Sequence, residues 1–212
     1  MNKTCRSIAQ YPLRVYASSA GLVQGKPLIC GGIYRGFHRR LTPCYIYKPS
    51  TNSWPFLAYL RTYRLMSAGI GMLGGVWITG GWNGRESVKS TEFVFENGTV
   101  IQGPDLPSAR DGHCMVDLLD GRIILTGGSP TWNEVLIYHQ SNRSFVQGPP
   151  LLVGRKFHAC TMFHSSTHGL QPVILVAGGR TGSARGAATY SVEVLLLSNT
   201  LVAWKKSEYE DI

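Results

Sequence analysis

The chain has 212 residues, of which 43% are hydrophobic and 16% charged, and it carries a formal net charge of +9 at pH 7. That is apolar enough to build a core and excludes a disordered chain. No run of apolar residues is long enough to span a bilayer and the first ten residues lack the apolar centre of a signal peptide, which predicts a cytoplasmic protein with no membrane segment.

High glycine and proline content, with no sustained 3.6-residue periodicity, predicts strands and turns. The first period starts near Arg14 and contains strand-like runs at 15–23, 28–30, 45–47 and 54–57. The second has them at 65–73, 76–79, 91–95 and 99–102, with Asn97 and Gly98 as a turn. The third is the clearest, with runs at 113–119, 122–126, 134–139 and 144–147 and a tight Asp120-Gly121 turn inside its first hairpin. The fourth has them at 158–164, 173–177, 191–197 and 201–204, with an insertion at 165–171.

In every period the second run stops at a glycine pair. The first glycines are Gly31, Gly80, Gly127 and Gly178, separated by 49, 47 and 51 residues, which is the signature of a repeat architecture. The exits repeat as well, Gln102-Gly-Pro-Asp-Leu-Pro-Ser-Ala-Arg110 against Gln147-Gly-Pro-Pro-Leu-Leu-Val-Gly-Arg155.

With an arginine before the first strand (Arg14, Arg64, Arg110, Arg155), the glycine pair, a tyrosine position (Tyr47, Phe95, Tyr138, Leu197) and a tryptophan position (Trp54, Ile101, Phe145, Trp204), the chain resembles the Kelch repeat. The resemblance implies an all-β, Kelch-type β-propeller of four blades, each with four antiparallel strands. It assigns 1–12 to a lead-in segment, about 13–60, 61–106, 107–151 and 152–206 to blades, and 207–212 to a tail. Small residues in 17–21 and 67–71 are expected where inner strands crowd near the axis. Kelch rings are usually larger than four blades. An open arc or a piece of a longer ring is therefore expected ahead of a closed four-blade ring, with self-association through open edges as a consequence.

Five cysteines (Cys5, Cys30, Cys44, Cys114, Cys160) without CxxC spacing predict reduced thiols, with neither a zinc site nor a disulfide framework. Glycosylation sequons at Asn2, Asn97 and Asn142 point the other way, toward the exterior. The histidines show no HxH or HExxH spacing, and His113 and His158 recur three residues after Arg110 and Arg155, as structural repetition would have it. No nucleophile, P-loop or paired-carboxylate motif appears, so no catalytic residue, cofactor or metal is expected.

Strand alternation places the loops between second and third strands, and those between blades, on one face. That face gathers Arg35, Arg39, Arg40, Arg64, Arg110 and Arg155 with the aromatics Tyr34 and Trp82, groups suited to bidentate capture of carboxylates. By resemblance to Kelch substrate adaptors, this predicts a protein-interaction module binding acidic peptide segments, with substrate recognition for a ubiquitin ligase as one use. An actin-binding or scaffold role, and more remotely a propeller enzyme, are the alternatives; nucleic acid is not expected. For the arginines opening the first strands, bonding to carbonyls of a neighbouring blade is the competing reading.

Overall fold

The computed structural model describes residues 7–34, 42–165, 171–182, 187–197 and 204–206, and every regular element among them is a β-strand. The first repeat holds β1 (Val15–Tyr16), β2 (Ser19–Val23), β3 (Lys26–Cys30), β4 (Ile33–Tyr34), β5 (Pro43–Ile46) and β6 (Phe56–Tyr59). The second holds β7 (Ala68–Met72), β8 (Gly75–Thr79), β9 (Thr91–Phe95) and β10 (Val100–Gln102). The third holds β11 (Cys114–Asp117), β12 (Arg122–Thr126), β13 (Val135–His139) and β14 (Ser144–Gln147). The fourth holds β15 (Arg155–Lys156), β16 (Ala159–Ser165), β17 (Gln171–Ala177), β18 (Arg180–Thr181), β19 (Val192–Leu196) and β20 (Lys205–Lys206).

The strands form antiparallel four-stranded sheets in sequence order, β2-β3-β5-β6, β7-β8-β9-β10, β11-β12-β13-β14 and β16-β17-β19-β20, with β1-β4 and β15-β18 as short accessory pairs. In the third sheet Cys114 pairs with Thr126, and Thr126 with Val135. The second sheet has the same register with Ala68, Thr79 and Thr91.

Period-two alternation sends successive side chains of one strand into different cores. In β8, Val76 and Ile78 face the first sheet and meet Leu28, Cys44 and Ile46. Trp77 points the other way and packs with Phe93, Ile123, Leu125 and Tyr138. In β12, Ile124 turns to the fourth sheet, where Ile174, Val176, Leu195 and Trp204 complete the next core. The middle sheets are therefore covered on both faces, which is why β8 and β12 read as continuous apolar runs.

The inner strands pack in series, β2 on β7, β7 on β11 and β11 on β16, and no such packing joins β16 to β2 among the described residues. Backbone hydrogen bonds run across the same seams, from Met66 N to Ala17 O, Gly112 N to Met66 O and Phe157 N to Gly112 O. The small residues near the inner edge meet the expectation. A Cβ on Gly71 would lie 2.2 Å from the Leu22 carbonyl oxygen, so only glycine lets β7 approach β2 this closely. The glycine pair has a related cause: Gly80 has φ +57°, and a Cβ there would sit 2.5 Å from the carbonyl oxygen of Arg110 in the next repeat.

Three expectations need correction. The cysteines are paired: Cys30 with Cys44 across β3 and β5, and Cys114 with Cys160 across the seam between the inner strands β11 and β16. The repeat brings each pair within bonding distance although no local spacing announces it. The reversal after β11 is also wider than an Asp120-Gly121 turn: Leu118 N bonds Arg122 O, and Leu119 takes φ +60° beside Gly121 at +88°. Finally, Val15 rather than Arg14 occupies the position of the repeating arginine, because β1 pairs with β4 from Val15 as β15 pairs with β18 from Arg155. Arg14 is exposed. The insertion at 165–171 and the outer run at 201–204 fall largely outside the described residues.

Candidate interaction face

Arg64, Arg110 and Arg155 are completely enclosed, with exposures of 1%, 0% and 0%. Arg64 Nη1 donates to the carbonyls of Gly80 at 2.6 Å and Ser90 at 2.8 Å, while Nη2 reaches Glu92 Oε1 at 2.8 Å. Arg155 repeats the pattern on Gly178 at 3.0 Å, Ser191 at 2.9 Å and the Glu193 carboxylate. Arg110 holds the Gly127 carbonyl at 3.2 Å, Ser108 Oγ at 2.7 Å and the Glu134 carboxylate.

Each guanidinium therefore clamps the glycine-pair corner to the third strand of its own sheet, not to a neighbouring one. Glu92 and Glu193 extend the clamp by accepting from Arg61 N (2.7 Å), Thr62 N (3.0 Å), Leu152 N (2.7 Å) and Val153 N (3.0 Å) of the inter-sheet segments. In the third sheet the register position of Glu92 and Glu193 is held by Leu136. Glu134, two residues earlier and so on the same side of the chain, supplies the carboxylate instead. In the first sheet that position is Tyr45, opposite Ile29, and no such pair forms there among the described residues.

Of the two readings the sequence offers for these arginines, partner binding and carbonyl bonding, the structure supplies carbonyl bonds, together with carboxylates that no arginine motif announces. Their signal is a lone acid inside an apolar third strand, as in Thr91-Glu-Phe-Val-Phe95 and Ser191-Val-Glu-Val-Leu195. The guanidiniums are buried because their donors go to carbonyls of the glycine corner and to a carboxylate; the Ser90 and Ser191 carbonyls also accept from Gly80 N at 3.1 Å and Gly178 N at 3.3 Å.

The remaining basic and aromatic groups stand around the loops at that end of the sheets. Arg61, Arg85, Lys89 and Arg180 are exposed, and Lys89 faces Asp105 at 3.6 Å. Lys156 is held by aromatic rings, its Nζ 5.2 Å from the Trp132 ring centre and 5.1 Å from that of Phe157. Phe157 is 46% exposed and Tyr190, which no sequence motif marks, 95%. Trp82 is half-buried, its backbone paired with Leu65, and Tyr34 is half-buried on β4 opposite Val15. Arg35, Arg39 and Arg40 lie outside the described residues. Besides the clamp carboxylates, the acids on this side among the described residues are Glu86, Asp105 and Asp111, the last buried and accepting from Ser87 Oγ at 2.7 Å.

Below the face, His113 Nε2 meets Thr79 Oγ1 at 2.8 Å and His158 Nε2 meets Thr126 Oγ1 at 2.9 Å, each bond crossing a seam between sheets. Burial holds both imidazoles neutral. It pushes His158 down to about 4, with Arg155 adding to the effect, and His113 well below its ordinary range, with Arg110 and His158 adding to it. Among the described residues no group of three or more His, Cys, Asp or Glu side chains is arranged to hold a metal ion.

The sequence matches no protein-family model. It is 26% identical over 121 residues to the spermatocyte protein spe-26 of Caenorhabditis elegans, a match covering 56% of this chain and 21% of that protein. The matched region thus spans about a fifth of that curated relative. The fold is similar to that in the solved "Structure of YjhT", with a TM-score of 0.77 and 16% identity over 95% of this chain and 73% of the other. No helix among the described residues is long and apolar enough to cross a membrane.

Proposed function

We propose that the chain is an open arc of a Kelch-type β-propeller and serves as a protein-interaction module whose loop face takes acidic peptide segments. The fold likeness and the serial packing of four-stranded sheets support the architecture. The observation that carries the binding reading is the Trp132, Lys156 and Phe157 cluster, with exposed Arg85 and Arg180 at the same end of the sheets. A lysine held over two rings keeps its charge forward and loses little freedom on binding, and the rings supply the large, stiff contact area that interfaces favour. Arginines with no side-chain partner among the described residues complete a surface for carboxylates.

Titration of a fluorescent peptide carrying several Asp and Glu residues around an aromatic tests it by anisotropy. Saturable binding that weakens as salt rises and falls at least tenfold in a Lys156→Ala, Arg85→Glu, Arg180→Glu variant is expected. Binding of equal strength to wild type and variant, or none to either, overturns it.

A further inference from the structure

The sequons at Asn97 and Asn142 are not absorbed by an interaction face, and their placement is specific. Asn97 lies in the hairpin between β9 and β10, and Asn142 in the matching hairpin between β13 and β14 of the next sheet. Both are exposed. Antiparallel order puts these hairpins at the end of the sheets opposite the loops that carry Trp82, Trp132 and Arg85.

Each asparagine uses its oxygen locally and leaves its nitrogen outward. Asn97 Oδ1 accepts from Thr99 N at 2.9 Å. Asn142 Oδ1 accepts from Ser144 N at 3.2 Å and from Ser144 Oγ at 2.8 Å, so the hydroxyl that defines the sequon is bonded to its own asparagine. Neither Nδ2 has a hydrogen-bond partner among the described residues.

A second, independent observation concerns the compartment. The expectation of a cytoplasmic protein rests on the missing signal-peptide centre and on reduced thiols, and the two cysteine pairs remove the second of these grounds. Forming each pair takes two electrons and two protons from two thiols and needs an oxidised dithiol catalyst to accept them. Such partners prevail where proteins enter the secretory route, the route on which sequons are used. Across repeats, Cys30 stands in the register of Thr79 and Thr126, and Cys44 in that of Thr91 and Val135. The pair thus replaces an ordinary cross-strand pair and β3 keeps its register with β5, while β5 shifts register against β6 between Cys44 and Tyr45.

We infer that Asn97 and Asn142 are N-glycosylation sites and that the chain matures in an oxidising, secretory compartment. In the transfer, Asn Nδ2 attacks the anomeric carbon of a lipid-diphosphate-linked oligosaccharide. The carbon–nitrogen bond forms, the carbon–oxygen bond to phosphate breaks, the lipid diphosphate departs, and the amide proton passes to a base of the transferase. Glycans at this end cover the exposed outer strands β10 and β14 and leave the loop face free.

The test is peptide mapping of the full chain isolated from the cells that make it. The protein is digested without reduction and split into samples with and without peptide-N-glycosidase in heavy-oxygen water. The expected result is enzyme-dependent, heavy-oxygen-labelled aspartate at positions 97 and 142, with Cys30 linked to Cys44 and Cys114 to Cys160. Re-expression in the same cells of Thr99→Ala with Ser144→Ala, which keeps both asparagines, is expected to remove both labels. Bare asparagines overturn the sites whether or not the cysteines are linked, and cysteines that alkylate freely before reduction overturn the compartment.

Discussion

The indole N–H of Trp54 donates to the carbonyl of Ala9 at 2.9 Å, six residues before Val15. Trp204 makes the same bond at 2.9 Å to Pro149, six residues before Arg155. Val15 and Arg155 are register equivalents, so residues 9–14 run where the exit segment of a preceding sheet runs elsewhere in the chain. Tyr11, four residues before Val15, takes the place that the buried Leu60, Leu106 and Leu151 take four residues before each arginine. It packs edge-on against Tyr45 and Trp54 at centroid distances of 5.5 and 5.2 Å. The lead-in segment thereby covers part of a face against which no sheet packs among the described residues, while Leu22, Phe56 and Tyr59 remain exposed in the first sheet.

The two tryptophans should differ in energetic weight. Trp204 is 3% exposed within the last inter-sheet core, and Trp204→Ala is expected to destabilise by about 3–5 kcal/mol. Trp54 is half-buried under a short segment, and Trp54→Ala should remove about 1–3 kcal/mol. Urea denaturation of both variants checks the order; equal losses would mean that residues 9–11 seal their core as well as a whole sheet does.

The Arg155 and Glu193 side chains are both fully buried and bonded to each other. Arg155→Met leaves a carboxylate uncompensated in the interior and is expected to cost about 3–5 kcal/mol. Arg155→Met with Glu193→Leu should recover a large part of that loss, because the desolvated charge goes with its partner. Melting curves for the two singles and the double give the coupling. Peptide binding by whatever folded fraction remains should be unchanged, since the guanidinium does not reach the surface.

Local signals carried much of the fold and little of its wiring. Arg122–Thr126, Thr91–Phe95 and Ser144–Gln147 are strands at the residues read from sequence, because turn residues flank short β-rich runs on both sides. The arginine clamps were not legible. Their carboxylates lie 28, 24 and 38 residues away, and Glu134 sits two positions off the register that its counterparts share. Arg14 misleads for a simpler reason: it follows Pro12 by two residues where Arg110 follows Pro107 by three, so the matching third position is Val15. Cys114 and Cys160 could be joined only after the inner strands of neighbouring sheets were known to lie side by side.

That bond is the one disulfide between sheets among the described residues, and it closes 46 residues of chain, whereas Cys30–Cys44 closes 14 within one sheet. On loop entropy alone, removing them costs about 4 and about 3 kcal/mol respectively. Cys114→Ser with Cys160→Ser should therefore lower the melting temperature at least as much as Cys30→Ser with Cys44→Ser. Hydrogen exchange adds a sharper reading, because only the first variant should speed exchange in β16 and β17 relative to β2 and β3.

Both buried histidines make stability depend on pH in one direction. The unfolded chain binds a proton at each near the ordinary histidine value of 6.5, whereas folded His158 does so only near 4 and His113 well below its ordinary value. Between those limits the unfolded state holds more protons, so stability is complete above the unfolded value and is lost as pH falls toward the folded one. For His158 the loss amounts to about 3 kcal/mol across that window. The positive neighbours Arg155 and Arg110 act in the same sense, and no carboxylate is among the groups that shift either ring. Urea midpoints measured from pH 7.5 to 4.5 should fall steeply in wild type and less steeply in His158→Gln, which retains a group able to bond Thr126. An unchanged slope in that variant would place the proton uptake elsewhere.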